Sequence, residues 1–427
     1  MKIINVAEPA AEAARLRKAT AMPESIFADA RAIMKGVAEQ GDSAVLDYTA
    51  KFDGARPASL LVSRQESKQA YGRVTKEQVK AVRLMKERLA KSELAVLKRL
   101  KGISVSSGGV KIERMVKPVA SVGCYIPGRK ARYPSTVVMC AVPAKVAGVR
   151  RIVAISPPRK DGTIDPLTLV AADICGVDEF YKAGGAQGIA ALAYGTQSIK
   201  PVSKIVGPGG MFVAAAKLIA SGSVSTDMVA GPTELLIYAD ATADPRLIAI
   251  DLISQAEHGT DTICGLVTAS EKLAAQTQAQ VQSMAEKVTR SDIVKSSLQD
   301  NGFVAVCKNE GACVEFVNEF APEHLEIMSK NADAVAKKID SAGLVLVGRY
   351  APSSASDYSL GSNHVLPTLG FGKSRASLSV LDFVKLVNKV KVTKAGLAKV
   401  NRSVKEMASA EGLLNHYEAV RARTDEV

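Results

Sequence analysis

The chain has 427 residues, 47% hydrophobic and 23% charged, ordinary globular usage that excludes disorder, collagen-like repeats and coiled coil and leaves room for roughly two to four domains. With no Trp and 4% aromatic residues, few rings are available for stacking bases, which argues against a single-strand nucleic-acid binder. The balance of 56 Lys and Arg against 43 Asp and Glu gives +13, a field that draws anionic ligands, but the basic residues are spread over helix-like stretches and read as solvated surface.

In chain order, the first hundred residues read as helical scaffold: Pro23-Glu24-Ser25 opens one segment, and Lys80 to Leu100 places apolar residues at helical intervals between charges. From Val119 short β-branched runs alternate with helix-length segments: SVGCYIPG, a helix through Ala141 to Val149, RRIVAISPP, EFYKAGGAQGIAALAYG, KIVGPGG and the helix MFVAAAKLIASG. After VAGPTE the rhythm resumes with LLIYAD, a helix from Pro245 to about His258, TICGLVTAS, a long helix through Met284, GFVAVCK, a further helix, HLEIMS and GLVLVG. Alternation of this kind predicts βαβ units on parallel sheets, here two doubly wound lobes with a cleft between them. Beyond about Leu378 the chain reads as a helical, basic tail module. Six cysteines without a CxxC spacing read as buried free thiols of a reducing cytosol, and neither a secretory signal nor a membrane-spanning run is present, so a cytoplasmic location is expected.

Only four histidines occur: His258, His324, His364 and His416. His258 closes an apolar helix in SQAEHG, and Gln255 at i−3 shares its face; a metal site and a histidine complementing the helix dipole before Gly259 both fit that spacing. Glu323 and His324 are adjacent in NEFAPEHL, where a bend at Pro322 would aim carboxylate and imidazole into a cleft for acid and base work, while a surface pair at a strand start is the commoner outcome. The polar stretch Ser353 to His364 reads as a loop following a parallel strand, with Asp357 a hard ligand for a divalent metal and His364 a hydrogen-bonded loop residue. By spacing alone His416, near the C-terminus, is a surface residue. GPGG at Gly207 to Gly210 and GGAQG at Gly184 to Gly188 each precede a helix, where backbone N–H groups can cradle a phosphate, although neither matches GxGxxG.

Taken together, GCYIPGRKARYPSTVVMCAVPAKVAGV, AGGAQGIAALAYGT, KIVGPGG, DMVAGPTE, DLISQAEHGTD, NEFAPEHLEI, SASDYSLGSNHVLPT and AEGLLNH, in order from about Gly41 to the C-terminus, resemble the histidinol dehydrogenase family. The resemblance implies an α/β fold of two Rossmann-like doubly wound parallel-sheet lobes with small helical N- and C-terminal modules. Its expected domains are a helical arm at 1–21, a first lobe with metal and catalytic residues at 22–124 and 235–378, an NAD-binding second lobe at 125–234, and a C-terminal helical module at 379–427 contributing across a dimer. It further implies a zinc-dependent, NAD-linked homodimer with a domain-swapped C-terminal module and no nucleic-acid or membrane partner. The implied reaction oxidises L-histidinol to L-histidine in two successive hydride transfers, the last steps of histidine biosynthesis.

Carried over residue by residue, the zinc ligands fall on Gln255, His258, Asp357 and His416, and the catalytic pair on Glu323 and His324. Substrate contacts fall on Thr233, Gln255, His258, His324, Asp357, Glu411 and His416, and cofactor contacts on Tyr125, Gln187 and the Gly210 position. The resemblance overrides the surface reading of His416, which with Glu411 would come from the other subunit. Three positions depart from the family pattern: Gly210 stands where GPGN is usual, Thr233 keeps a hydroxyl where AGPSE is usual, and Arg129 replaces a common Gly, which leaves NADP use open. Other readings compatible with the same residues are a paralogous zinc and NAD dehydrogenase acting on another amino- or sulfo-alcohol, a metallohydrolase using Glu323 to activate water, and a basic nucleic-acid-binding module.

Overall fold

The computed structural model describes residues 1–17, 22–128, 132–228 and 231–424. A five-stranded parallel sheet runs in the order Glu179–Lys182, Arg151–Ser156, Ser121–Tyr125, Lys204–Val206, Ser225–Thr226. A six-stranded parallel sheet runs Lys2–Val6, Phe303–Cys307, Ile263–Thr268, Glu234–Ala239, His324–Met328, Leu344–Val347. In each, the chain winds outward one way from a first strand, Ser121–Tyr125 or Glu234–Ala239, and then the other, which is the doubly wound topology the alternation predicts.

Continuous apolar runs form these strands because both sheet faces are covered. In the five-stranded sheet Val122, Cys124, Ile152 and Ala154 enter one core while Tyr125, Val153 and Ile155 enter the other. In the six-stranded sheet Leu235 and Ile237 face one helical layer and Leu236 and Tyr238 the opposite one. The period of two along each strand therefore feeds two separate cores. All six cysteines are buried free thiols, and no helix among the described residues is long and apolar enough to cross a membrane.

Three expectations need correction. The N-terminal arm is not wholly helical: Lys2–Val6 is an edge strand paired in parallel with Phe303–Cys307, followed by the helix Pro9–Arg17. That pairing spans three hundred residues and leaves no local trace in KIINV. The segment 22–124 does not join the six-stranded lobe. Helix Glu24–Gln40 lays Ala30, Ile33, Met34 and Val37 into the core that holds Ile189 and Ala215 of the five-stranded lobe, and Lys76–Arg99 lays Val82, Met85 and Leu89 into its other core beside Val138. Spacings of three and four place each set on one helix face, but nothing in them says which sheet they meet.

The tail module is also not wholly helical. Val384–Val392 pairs antiparallel with Val110–Pro118, which pairs with Ile103–Ser107. The sequence VKLVNKVKV carries part of the polar and apolar alternation of a strand, a signal obscured by its lysines. Helices Lys394–Ala410 and Leu414–Thr424 follow that ribbon and pack on each other.

Candidate active site

A cavity of about 460 Å³ lies between the two parallel sheets. The five-stranded lobe gives it the carboxyl ends of its strands: Tyr125, Gly128, Pro157, Gly185 and the Pro208 to Val213 turn. This follows the rule for open parallel sheets. The six-stranded lobe gives its amino ends instead: Thr233 before Glu234–Ala239, Thr262 before Ile263–Thr268, and Glu323 and His324 where His324–Met328 begins. Helix Pro245–Ala256 runs back against the strands, so its C-terminal end brings Gln255 and His258 to the same edge, and the Ser353–Ser356 turn delivers Asp357 there.

The polar residues form a connected set. Gln255 Nε2 donates to Thr233 Oγ1 at 2.8 Å, and Thr233 Oγ1 donates to Glu323 Oε2 at 2.6 Å. The same carboxylate oxygen accepts the Glu234 N–H at 2.7 Å, and among the described residues no hydrogen bond reaches Oε1. His324 Nδ1 lies 3.1 Å from the Glu234 carbonyl and 3.6 Å from Glu323 Oε2. A carbonyl only accepts, so neutral His324 carries its proton on Nδ1 and presents a bare Nε2. That Nε2 has no hydrogen-bond partner and faces Asp357 Oδ1 at 3.7 Å.

Burial pushes the His324 imidazole down, but the flanking Glu323 and Asp357 charges outweigh it and bring it up to about 10. Burial likewise opposes ionisation of Asp357, and the His324 imidazole facing it at 3.7 Å holds it below the ordinary carboxylate range. His364 is half-buried, bonded through Nδ1 to the Asp357 carbonyl at 2.8 Å and through Nε2 to Thr136 Oγ1 at 3.4 Å. Burial lowers its affinity for a proton, so it stays neutral and ties the loop holding Asp357 to the opposite lobe.

On the cofactor side, Gly207 adopts φ +116, and a Cβ there would stand 2.2 Å from the Tyr125 carbonyl oxygen. Only glycine permits that approach. Its N–H donates to Asp227 Oδ2 at 2.7 Å and its carbonyl accepts from Lys217 Nζ at 3.0 Å, while Lys217 and Asp227 form a buried ion pair. The turn leading into helix Met211–Ala220 is thereby fixed from both ends. Tyr125 Oη accepts the Gly185 N–H at 3.1 Å.

Tyr125, Thr233, Gln255, His258, Glu323, His324, Asp357 and Gly210 thus share one cleft. Gln187 does not line it: the side chain is fully buried behind Gly185, and neither amide atom has a protein partner. Glu411 and His416 are exposed on the tail module and do not reach the cleft of their own chain. Among the described residues no group of three or more His, Cys, Asp or Glu is placed to hold a metal within one chain. Arg129 lies outside the described residues.

Sequence reasoning missed Glu234 and Arg17. Glu234, fully buried, accepts the Glu323 N–H at 3.2 Å through Oε2 and the Leu369 N–H at 2.9 Å through Oε1, and pairs with the Arg17 guanidinium. An acidic residue opening the wholly apolar run LLIYA was the available signal, because a carboxylate is buried there only with partners.

The histidinol dehydrogenase family model matches residues 16–424. Histidinol dehydrogenase of Methanocaldococcus jannaschii is 42% identical over 400 residues, covering 94% of this chain and 93% of the relative. That of Listeria innocua is 42% identical over 405 residues, covering 94% of each. The crystal structure of histidinol dehydrogenase from Elizabethkingia anophelis is similar with a TM-score of 0.92 at 35% identity, over 99% of this chain and 98% of that one. Identity at this level, spread over both lobes and the tail, means that the chain belongs to the histidinol dehydrogenase family and is an NAD-dependent oxidoreductase.

Proposed function

We propose that this chain oxidises L-histidinol to L-histidine in two successive two-electron steps, using two NAD and one zinc ion per subunit, as a cytoplasmic homodimer. The observation that carries this reading is the convergence of Gln255, His258 and Asp357 beside Glu323 and His324 in one cleft. The donor set fits zinc: an amide oxygen left free because Gln255 Nε2 is turned to Thr233, an imidazole, and a carboxylate held ionised. One chain supplies three such groups, and His416 of a second copy would supply the fourth. The tail module supports that contribution: Ile103, Val105, Leu386, Val390, Met407 and Leu414 are each more than half exposed, an apolar face that a partner copy would cover.

The cofactor side fits NAD. The turn fixed at Gly207 leaves the N-terminus of helix Met211–Ala220 open to the cleft. When bound, zinc orients the amino and imidazole nitrogens of the substrate, and NAD accepts hydride.

The chain's own residues do the proton work. His324 Nε2 takes the hydroxyl proton as hydride leaves the carbinol carbon, with Nδ1 steadied by the Glu234 carbonyl. A zinc ion held by Asp357 would offset part of the charge that raises His324, and the imidazole would then lie nearer the range in which it serves as a base near neutral pH. In the second step Glu323 takes a proton from the water adding at the aldehyde level, its Oε2 fixed by Thr233 and the Glu234 N–H. Buried free thiols throughout support a reducing setting.

The test is turnover of purified protein with L-histidinol and either NAD or NADP, with and without chelator. Two reduced coenzymes per histidine formed, lost on chelation and restored by zinc, are expected. Absence of coenzyme reduction in the zinc-loaded protein overturns the reading.

A further inference from the structure

A second carboxyl pair lies behind the cleft. Glu326 is 2% exposed and stands two residues along its strand from His324, hence on the same sheet face. Asp251 lies one helical turn before Gln255 on helix Pro245–Ala256. Glu326 Oε1 accepts the Ser353 N–H at 2.6 Å, and the Ser353 carbonyl accepts the Asp357 N–H at 3.0 Å. Glu326 Oε2 is buried without a conventional donor, yet the Asp251 carboxyl lies within hydrogen-bond reach of Glu326. Two neighbouring carboxyl groups, one buried and one half-buried, resist ionising together, and a single proton between them supplies the donor that Oε2 lacks.

We propose that Glu326 and Asp251 share a proton and act as positioning residues, a clasp that holds the elements bearing Gln255, His324 and Asp357 in register. The clasp joins three elements at once: the strand carrying His324, the helix carrying Gln255, and the turn whose Ser353 fixes the backbone of Asp357. Its use in catalysis rests on the reading that those three residues serve metal and proton transfer; its existence does not.

Among the described residues no cation pairs with either carboxyl: helices Glu271–Ala285 and Ser291–Asp300, which pack on helix Pro245–Ala256, carry Glu271, Lys272, Asp292, Lys295 and Asp300, and Lys295 is engaged by Glu286. Across the sheet Glu326 is flanked by Ile237 and Leu346, and the Ser353–Ser356 turn carries no charge. Besides Asp251, helix Pro245–Ala256 carries only exposed Arg246, and helix Ala332–Ala336 only exposed Asp333. His324, on the same strand face, is engaged by Glu234, Glu323 and Asp357. Burial, then the Asp251 charge, pushes Glu326 up to about 8, and burial pushes Asp251 up to about 6. A carboxyl raised in the folded state contributes stability that is intact below its unfolded value and lost as pH rises through its folded value. The contribution of the clasp is therefore lost progressively as pH rises from the ordinary carboxylate range to about 8.

The test uses full-length parental protein, E326Q, D251N and E326A. In E326Q the amide still accepts from Ser353 and donates to ionised Asp251, so the clasp persists without a titrating proton. The parental protein is expected to give an infrared band of a buried protonated carboxyl, absent from E326Q, and the thermal midpoint of E326Q is expected to fall less than the parental one as pH rises from about 5 to about 8. Zinc content after loading should be retained in E326Q and D251N, and zinc affinity reduced about tenfold or more in E326A. Absence of the carboxyl band from the parental protein, its survival in E326Q, or zinc loss in E326Q equal to that in E326A overturns the proposal. The band and the midpoint are read without substrate, so failure of the clasp and failure of the histidinol reading are separate results.

Discussion

Glu234 and Glu323 hold each other through their backbones: the Glu234 N–H donates to Glu323 Oε2 at 2.7 Å, and the Glu323 N–H donates to Glu234 Oε2 at 3.2 Å. Two carboxyl groups thus stand at the amino ends of neighbouring strands, Glu323 at the cleft facing His324 and Glu234 fully buried and paired with Arg17. Burial pushes the Glu234 carboxyl up, and the Arg17 guanidinium, stacked 3.9 Å over the Phe320 ring, pulls it back. Where Glu326 and Asp251 resolve the same conflict with a proton, Glu234 resolves it with an arginine brought in by the N-terminal helix.

Removing that arginine should therefore reach the catalytic carboxylate. R17M leaves Glu234 buried and unpaired, and the protein is expected to lose about 3 kcal/mol in denaturant unfolding together with a fall in kcat. R17M/E234Q removes the stranded charge and is expected to recover most of the stability without recovering kcat, because the pairing that orients Glu323 is still altered. Parental stability and kcat in R17M would show that the pair is dispensable.

His324→Asn keeps a group of similar polarity near the Glu234 carbonyl but has no basic nitrogen at the Nε2 position. Turnover is expected to fall by about 10² to 10⁴, with zinc content unchanged because His324 is outside the proposed ligand set. Loss of metal in this variant, measured by metal analysis, would move His324 into that set.

The lobes were legible because their signals are local. IVAI and LLIYA are continuous apolar runs, and two-sided burial accommodates such runs in a parallel sheet. Thr233, Gln255, Glu323 and Asp357 sit in motifs quoted from the sequence, and the cleft brings these four together. Long-range facts left no such mark. Nothing in KIINV announces Phe303–Cys307 as its partner, and the apolar face of Glu24–Gln40 is compatible with either sheet. The use of amino ends by one lobe and carboxyl ends by the other is a property of how the two sheets oppose, to which no single residue testifies. Glu234 was visible inside AGPTE, but its task appears only once Arg17, Glu323 and Leu369 surround it.

Because His416 does not reach its own cleft, the proposed dimer can be tested by complementation. E323Q has a disabled site and an intact tail; H416N has an intact site and a tail without its ligand. Each alone is expected to be inactive, and H416N to lose zinc. In co-expressed, statistically mixed dimers half the molecules are hybrids with one whole site, so about a quarter of parental activity should return. No return of activity, or a zinc-replete active H416N, rules out a ligand crossing between subunits.

Gly210 offers a gain-of-function test at the departure from GPGN. Its φ of −68 and ψ of 177 are extended values open to any residue, a Cβ there meets nothing within 4 Å, and it occupies the uncapped N-cap position of helix Met211–Ala220. G210N therefore introduces no strain, and its side chain can accept a free N–H of the first turn, worth a few tenths of a kcal/mol over glycine and roughly 1 °C in Tm. The same amide stands at the wall of the cleft. If this turn holds the coenzyme, KM for NAD should fall several-fold while kcat changes little, the signature of added binding shared by ground and transition states. G210A, which lacks the amide, should leave KM unaltered. A higher Tm with unchanged KM in G210N would make the position a helix cap alone and remove it from the coenzyme site.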